Sequence, residues 1–545
     1  MPVHVKQQQA QQDPHRKGYA DPKYFLNPTM EGKVGTKYFA NVKGYGLDLD
    51  TVMELKEKNW PPWMNTSLHK GTFPNNLDAG ADMILLLMEA VSRFTGGHVP
   101  PFFEVINEPG TLFATVHWSD IIKYHQLVVT KLKKKFPAMK IGGPTNTGAI
   151  QNADRHDFKI WKKLRDFMDM SLNLLDFFSF HAYNHVHKNG DTHAWSGINE
   201  ARLVAVIDLI ESYAWHKKGR SVPLIVSEYG LGGDNVKIDT QSDFDEWAFA
   251  YMHNSHMSTY LNFRGDIDRT IAFLLSKSVN FASASLFRHG DYTHVAKAYQ
   301  FWHHFNESHK FLRVHSEFNN DERRISPLAL VNTHKKEIDV ILHSYHQTPE
   351  RVKIKFEKHW AHAPSVSSTC FYLNSHRTPV LLEDQTISFE DNVFTLPAEA
   401  SCYVSIKSTY NFKTIPTVHE HTYYATEMVI PINSHTVLTT VNIRSLGAVR
   451  YAFLRIGVSM SDKTAETKPK TVQVNGHTVT SSYMQFGPGG QYMETLWDVY
   501  VFEVPTRTLK QHSNAVQLIF AQKGGYVSTV AIVAGNVPGD GSIIG

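Results

Sequence analysis

At 545 residues the chain exceeds what one hydrophobic core supports, since single cores stop growing near roughly 250 to 300 residues, so several domains are required. Its 42% hydrophobic and 20% charged residues are the composition of a folded globular protein and exclude wholesale disorder. The 55 Lys and Arg against 52 Asp and Glu are spread along the chain, which removes any call for nucleic acid or an anionic membrane as partner.

In chain order, the Gln-rich start (Gln7-Gln-Gln-Ala-Gln-Gln12) reads as a disordered tail over residues 1–22. It lacks the apolar stretch of a secretory signal, and no run approaches the roughly 18 apolar residues of a membrane span. Lys37–Val42 is strand-like, with a helix from Leu47 to Lys58. The segment Trp60–Met64 reads as the next strand, followed by a helix from Asp78 to Phe94.

From about residue 102 to 306, short apolar runs alternate with amphipathic stretches, the pattern of βα units around a parallel sheet. Strands are expected at Phe102–Ile106, Lys140–Gly143, Leu175–Phe180, Leu224–Ser227 and Phe281–Leu286. Helices are expected from Ser119, as N-cap, to the stop at Pro137, and from Ile198 to Trp215 before Gly219. After residue 312 the text turns to alternating segments such as Glu337–Leu342 and Arg351–Phe356 with turn residues between them, which is antiparallel β. The expected organisation is a (β/α)8 TIM-type barrel over residues 23–311, a β-sandwich over 312–410 and a second over 411–545. A barrel spends roughly 30 residues per βα unit, so the stretch before Phe102 is one unit short. The first strand is missing, shortened or made by another segment, and a start placed too far downstream would account for this and for the absent signal. Cys370 and Cys402, the only cysteines, lie in strand-like runs and are either one inter-strand bridge or two small buried residues.

Two strand ends each deliver a carboxylate: Val105-Ile-Asn107-Glu108-Pro109 and Ile225-Val-Ser-Glu228-Tyr229-Gly230. In a parallel barrel all strand C-termini open on one face, so carboxylates ending different strands converge on one substrate. Glycoside cleavage needs such convergence, one carboxyl protonating the departing oxygen while the other attacks the anomeric carbon. The acid then needs a raised pKa, from a less polar setting or its partner's field, and the nucleophile must be ionised. A single strand-end Glu is more often a helix cap or a surface ion partner; the pairing is what turns the reading toward catalysis.

The Asn-Glu-Pro triplet at 107–109 resembles the acid/base signature of the retaining (β/α)8 glycosidase clan, which carries its acid/base after strand 4 and its nucleophile at the end of strand 7. The resemblance implies Glu108 as acid/base and Glu228 as nucleophile, Asn107 on the hydroxyl beside the scissile bond, and His181 and Tyr183 bordering the subsite with His185. Trp118, Trp195, Tyr229 and Phe287 are candidate stacking platforms for sugar faces, and Arg288 and His289 candidate contacts to a hydroxyl, an anhydro-sugar oxygen or a sulfate; packing or a loop salt bridge is the competing reading of each. His181, His185, His187 and His193 admit a metal reading, but clustered histidines are common in a chain with 31 of them, and neither metal nor cofactor is expected. The phrasing Trp60-Pro-Pro-Trp-Met-Asn65 with Pro101-Phe-Phe-Glu-Val-Ile-Asn-Glu-Pro109 is similar to family 86 of the glycoside hydrolases, which implies an endo-acting β-agarase or β-porphyranase that cuts β-1,4 linkages of red-algal galactans. That substrate class implies secretion and a galactan partner, for a chain expected to be a monomer. The alternatives are a catalytically impaired carbohydrate-binding protein, and a clan-related mannanase or glucanase.

Overall fold

The computed structural model describes residues 10–27, 52–54, 60–64, 73–109, 116–190, 192–198, 200–232, 242–273, 285–288, 291–306, 308–317, 322–355, 365–387, 392–407, 418–445, 447–462, 464–479, 482–485 and 494–537. The chain is a TIM-type barrel followed by antiparallel sandwich sheets, and it divides into two compact units, one of residues 1–182, 217–228 and 265–271, the other of 183–216, 229–264 and 272–545.

The first unit is built on a mostly parallel sheet with strands β1 (Val52–Glu54), β2 (Phe102–Glu104), β3 (Lys140–Asn146), β4 (Phe177–Asn189), β6 (Leu224–Leu231) and β7 (Ile267–Ala272) in that spatial order; β5 (Thr192–Gly197) pairs back on the far end of β4, and both of those segments belong to the second unit. β1 with β2, β2 with β3 and β3 with β4 pair in parallel. Helices Leu77–Phe94, Trp118–Lys135 and Arg155–Ser171 fill the connections. The Leu77–Phe94 helix starts where the Asn76 side chain accepts the Ala79 N–H, and it buries Met83, Ile84, Leu87, Met88 and Val91 along one stripe. β3 and β4 approach so closely that the Phe177 ring lies 2.3 Å from where a Cβ on Gly142 would stand, so only glycine fits there.

Several expectations are corrected. Val52–Glu54, expected within a helix, is the strand beside β2, and Trp60–Met64, expected as a strand, is a turn. The neighbour of β6 is Ile267–Ala272, not Phe281–Leu286. Its sequence Ile-Asp-Arg-Thr-Ile-Ala is too polar to stand out as a run, because pairing rather than burial makes it a strand; residues 281–284 lie outside the described ones, as do Lys37–Val42 and the start of the helix expected from Leu47. Residues 10–22 are not a free tail. Gln12 bridges to Ala20, the Arg16 guanidinium lies 2.6 Å from Asp82 and over the Tyr19 ring, the Tyr19 hydroxyl donates to Asp78, and the Trp63 indole N–H donates to Ala10 O. The helix beginning near Ser119 instead has His117 as its cap residue, without a side-chain cap bond.

The second unit contains the helices Glu200–Lys218, Asp243–Tyr260 and Ala296–His303 and three principal antiparallel sheets. The two long helices are buried nearly all round, so their sequences lack a clean apolar stripe; in the first of them Arg202 meets Thr495 O and Asp208 meets Arg455. A capping box between Ser242 and Asp245 opens the Asp243–Tyr260 helix. One six-stranded sheet runs, in spatial order, His309–Leu312, Ile325–Asn332, Glu337–Ser344, Ser401–Lys407, Ser365–Leu373 and Pro379–Thr386. Directly opposed Cys370 and Cys402 form a disulfide across its last-but-one pair of central strands, so the bridge is the reading that holds. Farther along, a sheet containing Ala448–Met460 and Tyr526–Val537 and a four-stranded sheet containing Thr436–Ile443 and His512–Ile519 enclose a core of Val441, Leu454, Ile456, Val516, Leu518 and Ile532. Among the described residues no helix is long and apolar enough to cross a membrane.

Candidate active site

β2 ends at Glu104, and the chain continues through Val105 and Ile106, both buried, to Asn107 and Glu108. Glu108 holds φ of 43°, the left-handed region, which costs a non-glycine residue of the order of 1 kcal/mol and is found where a side chain must be aimed. β4 carries Ser179 and His181, and β6 carries Ser227 and Glu228. All these groups belong to the first unit.

The centre of the arrangement is His181, whose side chain is fully buried. Its Nδ1 lies 2.9 Å from Glu108 Oε1 and 3.4 Å from Glu228 Oε2. One donor-acceptor atom of each of the three residues lies within 4.8 Å of the others. Such a set can also accommodate a cation, but two carboxylates held this close on different strands is the arrangement glycoside cleavage uses. Thr147, just past β3, donates its hydroxyl to the same Glu108 oxygen and stands 3.3 Å from His181 Nδ1. Asn107 Oδ1 is buried without a partner among the described residues, so a polar acceptor stands next to Glu108.

The electrostatics differ from the expectation for an acid. Burial pushes the Glu108 carboxyl up, but the hydrogen bond and charge of His181 and the hydroxyl of Thr147 outweigh it and hold its pKa below the ordinary carboxylate value. A carboxyl with a raised pKa does exist here, and sequence reading missed it. Glu104 is 1% exposed, and burial, the dominant influence, raises it against the weaker opposing pulls of His181 and the Ser179 and Ser227 hydroxyls. Burial thus favours the neutral form of Glu104 more than that of a free carboxyl. Its position in Phe102-Phe-Glu-Val-Ile106 was the available signal: a charged residue inside an apolar strand needs a reason.

The other expected residues fall out differently. Trp118 is not in a loop; it is the first residue of its helix, its indole N–H donates to Lys163 O and its ring packs 5.8 Å from Phe167, so it joins two helices. In the second unit, Trp195 is 5% exposed, donates to Glu399 Oε1 and packs on His193, Trp247 and Tyr251, which makes it core and not a sugar platform. Tyr229 is likewise buried, edge-on to His253, His256 and Tyr260. Tyr183 is half-buried against Phe273, and His185 Nδ1 meets Gly232 O. The histidines that admitted a metal reading lie on β4 and β5 and have other partners: His187 pairs with Ser196 and His193 with Glu399. Phe287 packs against Tyr292 with the ring planes tilted by 38°; the Arg288 side chain and His289 lie outside the described residues.

Residues 61–264 match the family model for cellulase, glycosyl hydrolase family 5. A funoran endo-beta-hydrolase of Wenyingzhuangia aestuarii is 26% identical over 488 residues, 82% of this chain and 63% of that protein. Beta-porphyranase A of Phocaeicola plebeius is 22% identical over 468 residues, 80% of this chain and 62% of that protein. The chain thus spans less than two thirds of the length of both relatives. Among solved structures, BuGH86 in complex with neoagarooctaose has a TM-score of 0.81 at 21% identity, covering 98% of this chain and 89% of that one. BpGH86A, a β-porphyranase of glycoside hydrolase family 86 from the gut bacterium Bacteroides plebeius, has a TM-score of 0.71 at 17% identity, covering 90% and 85%. These structures share the fold.

Proposed function

We propose that this chain, most like family 86 within the retaining (β/α)8 glycoside hydrolase clan, is an endo-acting hydrolase of red-algal galactans. The observation that carries the reading is the approach of the Glu108 and Glu228 carboxylate oxygens to within 4.8 Å. Retaining enzymes hold their carboxyls about 5 to 5.5 Å apart and inverting ones about 6.5 to 9.5 Å, to admit a water between them. The spacing here leaves no such room.

In the reading we favour, Glu228 attacks the anomeric carbon and forms a glycosyl ester while the carboxyl proton of Glu108 passes to the departing glycosidic oxygen as the C–O bond breaks. A water, giving its proton to the Glu108 carboxylate, then displaces Glu228 and releases the product with its configuration retained. The His181 contact serves both states of Glu108: protonated His181 donates to the carboxylate, and neutral His181 accepts at Nδ1 from the protonated carboxyl. Asn107 Oδ1 supplies an acceptor for a sugar hydroxyl. The substrate class rests on the relatives, one a funoran hydrolase and one a porphyranase.

The test is incubation with agarose, porphyran, funoran, mannan and cellulose, with mass analysis of products over time. Oligosaccharides of mixed length from a red-algal galactan, lost in Glu228→Gln while oligosaccharide binding persists, are expected. Cleavage of mannan or cellulose alone changes the substrate, no cleavage of any with retained binding makes the chain a carbohydrate-binding protein, and a Glu228→Gln variant of normal rate removes the nucleophile.

A further inference from the structure

The second unit holds a group of side chains that the hydrolase reading does not use. His304 follows the Ala296–His303 helix, His309 begins the strand His309–Leu312, and Asp339 lies on the strand Glu337–Ser344. Asp339 is fully buried in a sheet whose same-face neighbours include Leu330 and Ile341, where a carboxylate is costly unless its charge is met. Ser405, its register partner on the adjacent strand, donates to Oδ1 and holds the carboxylate in orientation. Oδ2 faces the two imidazoles, 3.4 Å from His309 Nε2 and 3.7 Å from His304 Nε2. Neither contact has hydrogen-bond geometry: Asp339 Oδ2, His304 Nε2 and His309 Nε2 are all buried and all without a hydrogen-bond partner among the described residues.

Three ligand atoms within 4.8 Å of one another, held only at ion-pair separations of 3.4 and 3.7 Å from Asp339, leave space for a small ion between them. They are well explained as the first coordination sphere of a small ion. Zinc holds imidazole nitrogen and carboxylate oxygen at about 2.0 to 2.2 Å, so tetrahedral ligand atoms stand roughly 3.3 Å apart, close to the separations from Asp339. We infer that His304, His309 and Asp339 bind a divalent transition-metal ion of the zinc class, which pins the end of the Ala296–His303 helix to the sheet.

The surroundings are those of held ligands. His309 Nδ1 lies 3.2 Å from Asn306 Oδ1 and 3.3 Å from Asn306 O, acceptors that fix the Nδ1–H tautomer and turn the Nε2 lone pair inward; the Asn306 N–H, 3.1 Å away, competes for the same nitrogen in the other tautomer. The His304 ring stacks on Tyr403, centroids 4.8 Å apart and planes at 17°. Two nitrogens and one oxygen select zinc, cobalt, nickel or copper over calcium and magnesium, which take oxygen ligands.

The full chain, prepared without a polyhistidine tag and dialysed against EDTA, is titrated with Co2+ and with Zn2+. One Co2+ per chain with the intense visible absorption of four-coordinate cobalt is expected, with displacement by Zn2+ and a melting temperature raised by several degrees. His304→Ala, at the exposed rim, should lose at least tenfold in affinity and most of the thermal shift, and Asp339→Asn should do the same. No absorption and no thermal shift in the wild type overturns the proposal. So does an unchanged signal in His304→Ala, which would place the ion elsewhere, for example at Glu108, His181 and Glu228. If Asp339→Asn does not fold, His304→Ala and the wild-type titration still decide.

Discussion

His181 Nδ1 stands 2.9 Å from Glu108 Oε1, a contact that lowers the affinity of that carboxyl for its proton. Replacing His181 with Asn removes the charge, so the Glu108 pKa should rise. The limb of the kcat/KM profile on which the acid loses its proton should then move to higher pH, while the rate at the optimum falls roughly 10- to 100-fold through lost positioning. A pH–rate series on a soluble galactan oligosaccharide checks this; a limb that stays in place or moves to lower pH means that His181 does not set the acid.

Glu108→Ala should fall steeply on the natural polysaccharide but much less on an aryl glycoside with an activated leaving group, whose departure needs little protonation. Burst kinetics on the aryl substrate would report accumulation of the glycosyl-enzyme. Equal losses on both substrates would take the acid role away from Glu108.

Burial raises the Glu104 carboxyl, which favours its neutral form relative to a free carboxyl. Glu104→Gln preserves shape and neutrality, so kcat should stay within about threefold and the pH limbs should not move. A displaced limb in that variant would show that Glu104 carries charge in the working enzyme.

Burial lowers His125 and His253 to about 4 and His256 and His343 to about 3. Their folded pKa lies below the unfolded value of 6.5, so the unfolded chain binds protons that the folded one refuses. Stability is complete above pH 6.5 and falls as pH drops from there toward 4, each histidine adding up to about 1.4 kcal/mol per pH unit. Glu104 acts in the opposite sense, its contribution declining as pH rises above 4.5. Denaturant melts between pH 7.5 and 4.5 should show the steep loss; His343→Phe should flatten it.

Asp208 accepts both arms of Arg455 at 2.6 Å and the Tyr424 hydroxyl at 3.1 Å, with 1% of its side chain exposed. Asp208→Ala should cost about 3 to 5 kcal/mol, because the guanidinium keeps its burial and loses its counter-charge. The double variant Asp208→Leu with Arg455→Met should recover much of that loss in thermal melts. Additive losses in the double variant would show that the pair is not coupled.

What the sequence by itself determined is the local part of this protein. An apolar run leading into Asn-Glu-Pro and another leading into Ser-Glu-Tyr are strands that deliver a carboxylate, Glu108 past the end of β2 and Glu228 within β6, because strand burial is written in consecutive residues, and both strands lie in one sheet of the structure. The helix from Leu77 to Phe94 and the antiparallel segments past residue 312 were legible for the same reason. Residue type alone did not separate an aromatic platform from an aromatic core: Trp195 and Tyr229 were indistinguishable from sugar contacts until packing buried them. Only the tertiary structure placed His181 against both carboxylates, buried Glu104, and brought His304, His309 and Asp339 to one point. Each of those depends on strands and helices distant in sequence meeting at ångström separations, which local propensity and periodicity leave open and which dense packing of the whole chain decides.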